Sequence, residues 1–200
     1  MATHSYVLIL DFGSQYTQLI ARRVRENRVY CEIHPFDRAL ESVQDRMPSA
    51  IILSGGPASV YDPGAPQLDR AILELGVPVL GICYGLQAII HTVGGSVEPA
   101  REREYGKTLL TRVSADSLLF QGVPQGAQVW MSHGDRVVRL PEGFRGTAGT
   151  DDSEIAAFES ADSRISGVQF HPEVVHTPHG NVILRNFLFE IARLEPDWSM

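Results

Sequence analysis

Val77-Pro78-Val79-Leu80-Gly81-Ile82-Cys83-Tyr84-Gly85 is the most informative stretch for the architecture, because an apolar run of strand length passes through two glycines directly into a helical pattern. Val77 to Ile82 reads as a buried strand, and residues from about Tyr84 to Val93 read as a helix. Outward from this stretch the same order recurs twice. Val7 to Leu10 is an apolar run ending in Asp11, after which Tyr16, Leu19, Ile20 and Val24 follow helical spacing. Ala50 to Leu53 leads into a Gly/Pro-rich loop, Gly55 to Pro66, and a predicted helix over Gln67 to Leu75. Alternating strands and helices imply a parallel sheet joined by right-handed crossovers and covered by helices on both faces.

Beyond Gly94-Gly95 the pattern shifts to short strand-like segments, Lys107 to Val113, Ala127 to Met131 and Ile165 to Phe170, which predict an antiparallel or mixed extension of the sheet. Thr177-Pro178 is a helix start, with Leu184, Phe187, Leu188 and Ile191 at helical spacing behind it. One α/β domain over residues 1–194 accounts for the chain. Residues 195–200 read as a segment leading away from it.

Composition narrows the function. The chain has 200 residues and a net charge of −7, with no basic concentration of the kind that binds phosphate backbones, so no nucleic-acid partner is expected. No apolar run approaches the roughly 20 residues that cross a bilayer. Met1 to Tyr6 lacks the features of a signal peptide, which makes the cytoplasm the expected compartment. Two cysteines, Cys31 and Cys83, are too few for a zinc site and do not form a disulfide framework, so no metal is expected.

Gly81-Ile82-Cys83-Tyr84-Gly85 has the shape of a nucleophile elbow, in which flanking glycines permit a sharp turn from strand to helix and lift the central side chain above the sheet. A cysteine there stands at a helix N-terminus, where the thiolate, the reactive form, is favoured. Taken alone, the pentapeptide fits a small buried residue equally well. Cys31, in the alternating stretch Tyr30 to His34 without flanking glycines, reads as packing.

A thiol nucleophile needs a base, and His171-Pro172-Glu173 follows the apolar segment Val168 to Phe170. Proline disfavours the helical region at His171, and an extended chain brings residues i and i+2 to one side, so Glu173 can orient the imidazole. His133, read as part of a loop of its own, and His34 also remain open on these grounds. His91 sits within a helical pattern without a close carboxylate, and His176 and His179 flank a helix start. Ser54-Gly55-Gly56-Pro57 follows an apolar strand, at the edge where α/β proteins gather their ligand sites. The chain has neither Gly-x-x-x-x-Gly-Lys-Ser/Thr nor Gly-x-Gly-x-x-Gly, nor a Ser-Gly-Gly-x-Asp-Ser loop, so it is expected to bind no ATP and no cofactor of its own.

Ser54-Gly55-Gly56-Pro57, Gly81-Ile82-Cys83-Tyr84-Gly85 and Gln169-Phe170-His171-Pro172-Glu173, in this order, resemble the class I glutamine amidotransferases over essentially the whole chain. Asp11-Phe12-Gly13-Ser14-Gln15-Tyr16, the run Arg22 to Glu26, Glu102 to Gly106 and Trp130-Met131-Ser132-His133-Gly134-Asp135 bring the resemblance closest to the amidotransferase domains of bacterial GMP synthases. The resemblance implies a three-layer, flavodoxin-like α/β fold. It also implies glutamine as substrate, Cys83 as nucleophile, His171 as general base and acid, and Glu173 as its orienter. Backbone N–H groups of Gly56 and Tyr84 would form the oxyanion hole, and Gln87, Ser132, Gly134 and Asp135 would contact glutamine. The implied partner is an ATP pyrophosphatase (synthetase) domain, which would carry ATP and magnesium. Another amidotransferase pathway, a γ-glutamyl hydrolase or a silent glutamine-binding module would share these motifs.

Overall fold

The computed structural model describes residues 5–199, with the side chains of residues 101–104 left aside; His4 and Met200, and the side chains of the Glu102-Arg103-Glu104 motif, lie outside what is described. Its first half follows the expected alternation. Strand β1 (Tyr6–Asp11) leads to α1 (Thr17–Glu26), β2 (Tyr30–Pro35) and, after a single 3-10 turn, α2 (Ala39–Asp45). Then come β3 (Ala50–Leu53), α3 (Arg70–Leu73), β4 (Val79–Ile82) and α4 (Tyr84–Thr92). The helix predicted from Gln67 is only four residues long. It starts where Asp69 caps it, its carboxylate accepting from the Ala71 N–H at 2.9 Å.

The second half comprises β5 (Ser96–Leu109), β6 (Arg112–Val113), β7 (Gln128–Arg139), β8 (Phe144–Gly149), β9 (Ala157–Ser160), β10 (Ile165–Val168) and α5 (Gly180–Arg185). Among the described residues one sheet has eight strands in the order β2-β1-β3-β4-β10-β9-β8-β6, and β5 and β7 form a separate antiparallel ribbon. Pairing is parallel from β2 across to β10 and antiparallel from β10 to β6. The mixed extension is therefore present, built by β9, β8 and β6, but the segment Ala127 to Met131 falls in the ribbon strand β7 instead, and Lys107 to Val113 is not one strand. Its first half belongs to the ribbon and its second to the sheet, with Leu110 and Thr111 at the change of direction.

Side-chain alternation along the central strands builds the three layers. Val7, Ile9, Ile52, Leu80 and Ile82 face α1 and α5, against Ile20, Val24, Ile183 and Leu184. Leu8, Leu10, Ile51, Leu53 and Val79 face the other side, against Val43, Ile72, Leu86 and Ile89. Each such side chain contributes about 1.5–3 kcal/mol on burial. Helix α4 is buried from Tyr84 to Ile90 because the sheet lies beneath it and the ribbon, through Val97 and Val137, packs beside it.

After α5 the backbone widens into a π-helical stretch, Asn186–Ile191. The helix begins at Gly180, later than the Thr177-Pro178 signal predicts, because the chain first turns beneath the site. A Cβ at Gly180 would lie 1.8 Å from the Pro172 carbonyl oxygen. Trp198 packs back on β2, its backbone N–H donating to the Arg28 carbonyl at 3.0 Å and its ring centroid lying 6.0 Å from that of Tyr30. No helix among the described residues is long and apolar enough to cross a membrane.

Candidate active site

Strands β1, β3, β4 and β10 are neighbours and parallel, so the loops that leave their C-terminal ends meet at one edge of the sheet. These loops are residues 12–16, residues 54–66, the elbow at Cys83 and residues 169–177. Together with β7 they line a cleft of ≈ 780 Å³.

At the elbow, Cys83 has φ 53° and ψ −108°, a conformation that L residues rarely adopt, and it joins β4 to α4 without an intervening loop. Its backbone N–H donates to the Val168 carbonyl of β10 at 2.8 Å, which holds the strained residue in line with the sheet. The flanking glycines are required by close approach. A Cβ on Gly85 would lie 2.5 Å from the Leu53 carbonyl oxygen, and one on Gly81 would lie 2.6 Å from the backbone of Gly85.

His171 and Glu173 are both buried, and His171 Nδ1 lies 2.7 Å from Glu173 Oε1. The pair forms in a turn, not in an extended segment: Pro172 and Glu173 are turn residues. Three bonds fasten this turn. The His171 N–H donates to the Trp130 carbonyl at 3.0 Å, the Thr177 hydroxyl donates to the His171 carbonyl at 2.7 Å, and Arg23 Nε donates to the Glu173 carbonyl at 3.0 Å. The ring of Tyr16 meets the imidazole edge-on at 5.1 Å. Burial pulls the His171 pKa down, but hydrogen bonds to Cys83 and Glu173 and the charge of both outweigh it and raise the value to about 10. With Nδ1 engaged by Glu173, Nε2 is the nitrogen left for Cys83.

Gly56 and Tyr84 both line the cleft beside Cys83. Tyr84 opens α4, where the N–H groups lack intrahelical acceptors. Gly56 tolerates no side chain, since a Cβ there would sit 2.6 Å from the Phe12 carbonyl oxygen. The loop 54–66 is tied down at its far end by the Tyr84 hydroxyl, which donates to the Pro66 carbonyl at 2.5 Å.

Gln87, Ser132, Gly134 and Asp135 also line the cleft. The expectation that His133 sits in a loop of its own is wrong: Ser132 to Asp135 lie within β7. The inward positions of this strand run Val129, Met131, His133, Asp135, Val137, and two polar residues occupy places that apolar ones fill on either side. That alternation is the signal that could have extended the strand through the Ser-His-Gly-Asp interruption. The Asp135 carboxylate already accepts from Ser59 at 2.6 Å and from Tyr61 at 2.5 Å. Sequence reasoning missed Ser59, Tyr61, Tyr16 and Thr177, all in irregular segments or at helix ends.

The other histidines and Cys31 lie elsewhere. His34, on β2, bonds with Ser42 and Glu32, and His176 packs on Trp130. Cys31 is buried, with its thiol 3.5 Å from the Ala21 carbonyl, and burial pushes its pKa up to about 11. Among the described residues no group of His, Cys, Asp and Glu could hold a metal ion.

The chain is 54% identical over 98% of its length to a glutamine-hydrolysing GMP synthase of Carboxydothermus hydrogenoformans, and 53% identical over its full length to one of Thermobifida fusca. It spans about 38% of the length of each of these curated relatives. A solved structure of a GMP synthase subunit from Thermoplasma acidophilum superposes with a TM-score of 0.82 at 31% identity, covering 96% of both chains. The family model for glutamine amidotransferase class-I matches residues 8–191. With that match over most of its length and a relative of its own size in the same fold, this chain belongs to the class-I glutamine amidotransferase family.

Proposed function

We propose that the chain hydrolyses glutamine to glutamate and ammonia through Cys83, His171 and Glu173, and that the ammonia serves a synthetase domain converting XMP to GMP with ATP. The observation that carries this reading is the buried line from Cys83 through His171 to Glu173, whose first two members line a cleft of ≈ 780 Å³.

The Cys83 thiol gives its proton to His171 Nε2 and the thiolate attacks the side-chain amide carbon. N–H groups of Gly56 and Tyr84 hold the oxyanion as the carbonyl π bond opens. The carbon–nitrogen bond breaks, and the proton on His171 leaves with ammonia. The γ-glutamyl thioester on Cys83 is then attacked by a water that His171 deprotonates, the carbon–sulfur bond breaks, and glutamate departs. Glu173 stabilises the imidazolium throughout. Gln87, Ser132, Gly134 and Asp135 bind the amino-acid end of the substrate. ATP and magnesium belong to the synthetase.

Replacement of each cysteine in turn tests the chemistry. Glutamate release should vanish in Cys83→Ala and persist in Cys31→Ala, with both proteins folded; the reverse result would sink the assignment.

A further inference from the structure

Gln169 follows β10 directly and is fully buried below the cleft. Its side-chain amide touches two residues of the site: Nε2 lies 3.8 Å from Cys83 Sγ, and Oε1 accepts from Gln87 Nε2 at 3.1 Å. The orientation of this amide follows from its neighbours. The Asp135 main-chain carbonyl can only accept, so the end of Gln87 that faces it at 3.5 Å is the NH₂. That same nitrogen reaches Gln169, which must answer with its oxygen. The Gln169 NH₂ is therefore the end turned to the sulfur.

The thiol also reaches the Ser132 carbonyl, 3.8 Å from the sulfur. A carbonyl oxygen accepts from a thiol and repels a thiolate, whereas an amide N–H stabilises the thiolate. The sulfur thus contacts one group that favours its protonated form and one that favours its charged form. The ionisable groups around it are His171 with Glu173 behind, Tyr16 against the imidazole, and His133 and Asp135 on β7.

We propose that Gln169 is a catalytic hydrogen-bond donor to the nucleophile, aimed by Gln87, whose N–H stabilises the Cys83 thiolate against the opposing Ser132 carbonyl once the thiol proton has passed to His171. Glutamine binding through Gln87 is then linked to the nucleophile, because any turn of the Gln87 amide withdraws the partner that fixes Gln169. This rests on the reading of Cys83 as the nucleophile. The raised pKa of His171 is consistent with it, since the imidazolium is the counter-charge the thiolate needs.

The test is the pH profile of Cys83 alkylation by iodoacetamide in the whole chain, in a Cys31→Ser background so that one thiol is followed. Gln169→Met keeps the volume and removes the donor, and Gln169→Glu keeps the shape and places a carboxylate against the sulfur. The pH of half-maximal alkylation should rise by about one unit in the first and by more in the second. An unchanged or lowered half-maximal pH in folded Gln169→Glu overturns the proposal, even where alkylation abolishes glutamine hydrolysis as the triad requires. Alkylation of Cys83 that leaves hydrolysis intact overturns the triad reading and the proposal together. A second measurement needs no variant at Gln169: its side-chain amide resonance in ¹⁵N-labelled protein should shift on alkylation of Cys83, and a resonance that does not move overturns the donor role.

Discussion

At the scale of single residues, Glu173 illustrates how a local motif becomes chemistry. His171-Pro172-Glu173 is readable in the sequence as a histidine with a carboxylate two positions on, and the two are bonded at 2.7 Å, although through a turn. The His171 pKa rises from 6.5 to about 10 in the folded protein. A group with a raised folded pKa contributes stability that is fully present below its unfolded value and lost as pH climbs through its folded value. Glu173→Gln should therefore destabilise the fold most below pH 6.5, by about 1.5–3 kcal/mol for a hydrogen bond to a charged group. The gap from the parent should close by about pH 10, and glutamine hydrolysis should fall less than in His171→Ala. Melting temperatures of parent and variant across pH check the first part, and a gap that widens toward alkaline pH would contradict it.

Among elements, the junction of β4 and α4 is the most constrained. The glycine pair predicts a sharp turn, but its severity comes from β3, whose Leu53 carbonyl occupies the space a side chain on Gly85 would need. Gly85→Ala should cost about 1–3 kcal/mol as overpacking against backbone. Hydrolysis should drop further than stability, because helix α4 carries Gln87 and α4 and Cys83 must shift together. Thermal denaturation and glutamate release on the same sample check this; a variant with the parent's melting temperature and activity would show that the turn has slack. Strand β7 is the opposite case. Its centre reads as a polar loop, yet β5 pairs on both sides of it, Tyr105 opposite Ser132 and Pro99 opposite Asp135, and the strand continues across a register shift between Pro99 and Glu104. Local polarity gave way to cross-strand hydrogen bonding, which a linear reading does not contain.

The molecule as a whole gathers four loops at one sheet edge and closes them with a ribbon. The proposed product is ammonia, which loses its nucleophilicity if bulk water protonates it, so hydrolysis is best coupled to an acceptor. The loop carrying Gly56 is held by Ser59 and Tyr61 on Asp135, a residue also proposed to bind substrate. Movement of that loop changes the direction of the Gly56 N–H, and loss of one oxyanion donor costs roughly 100- to 1000-fold in rate. The isolated chain should release glutamate slowly, and addition of a synthetase domain with ATP and XMP should accelerate it by up to about that factor. An unchanged rate with all three present would separate the glutaminase chemistry from the proposed coupling. Acceleration by a different synthetase and its acceptor would point to another amidotransferase pathway.

Periodicity and short-range sterics carry the part of this fold that is legible along the chain. The apolar runs at Val7, Ala50 and Val79 are strands because both faces of each are buried, and the glycines around Cys83 mark a turn that no other residues allow. These signals are local, since burial repeats with the pitch of the element and a turn needs only its own residues. Which segments meet is a matter of tertiary packing alone. The Gln169 amide reaches the Cys83 sulfur 86 positions away, and Tyr61 finds Asp135 across 74. Sequence reading missed these contacts because each joins a polar side chain to a distant partner, and such a pair leaves no periodic trace. Its geometry exists only once parallel strands have brought their C-terminal ends to a common edge.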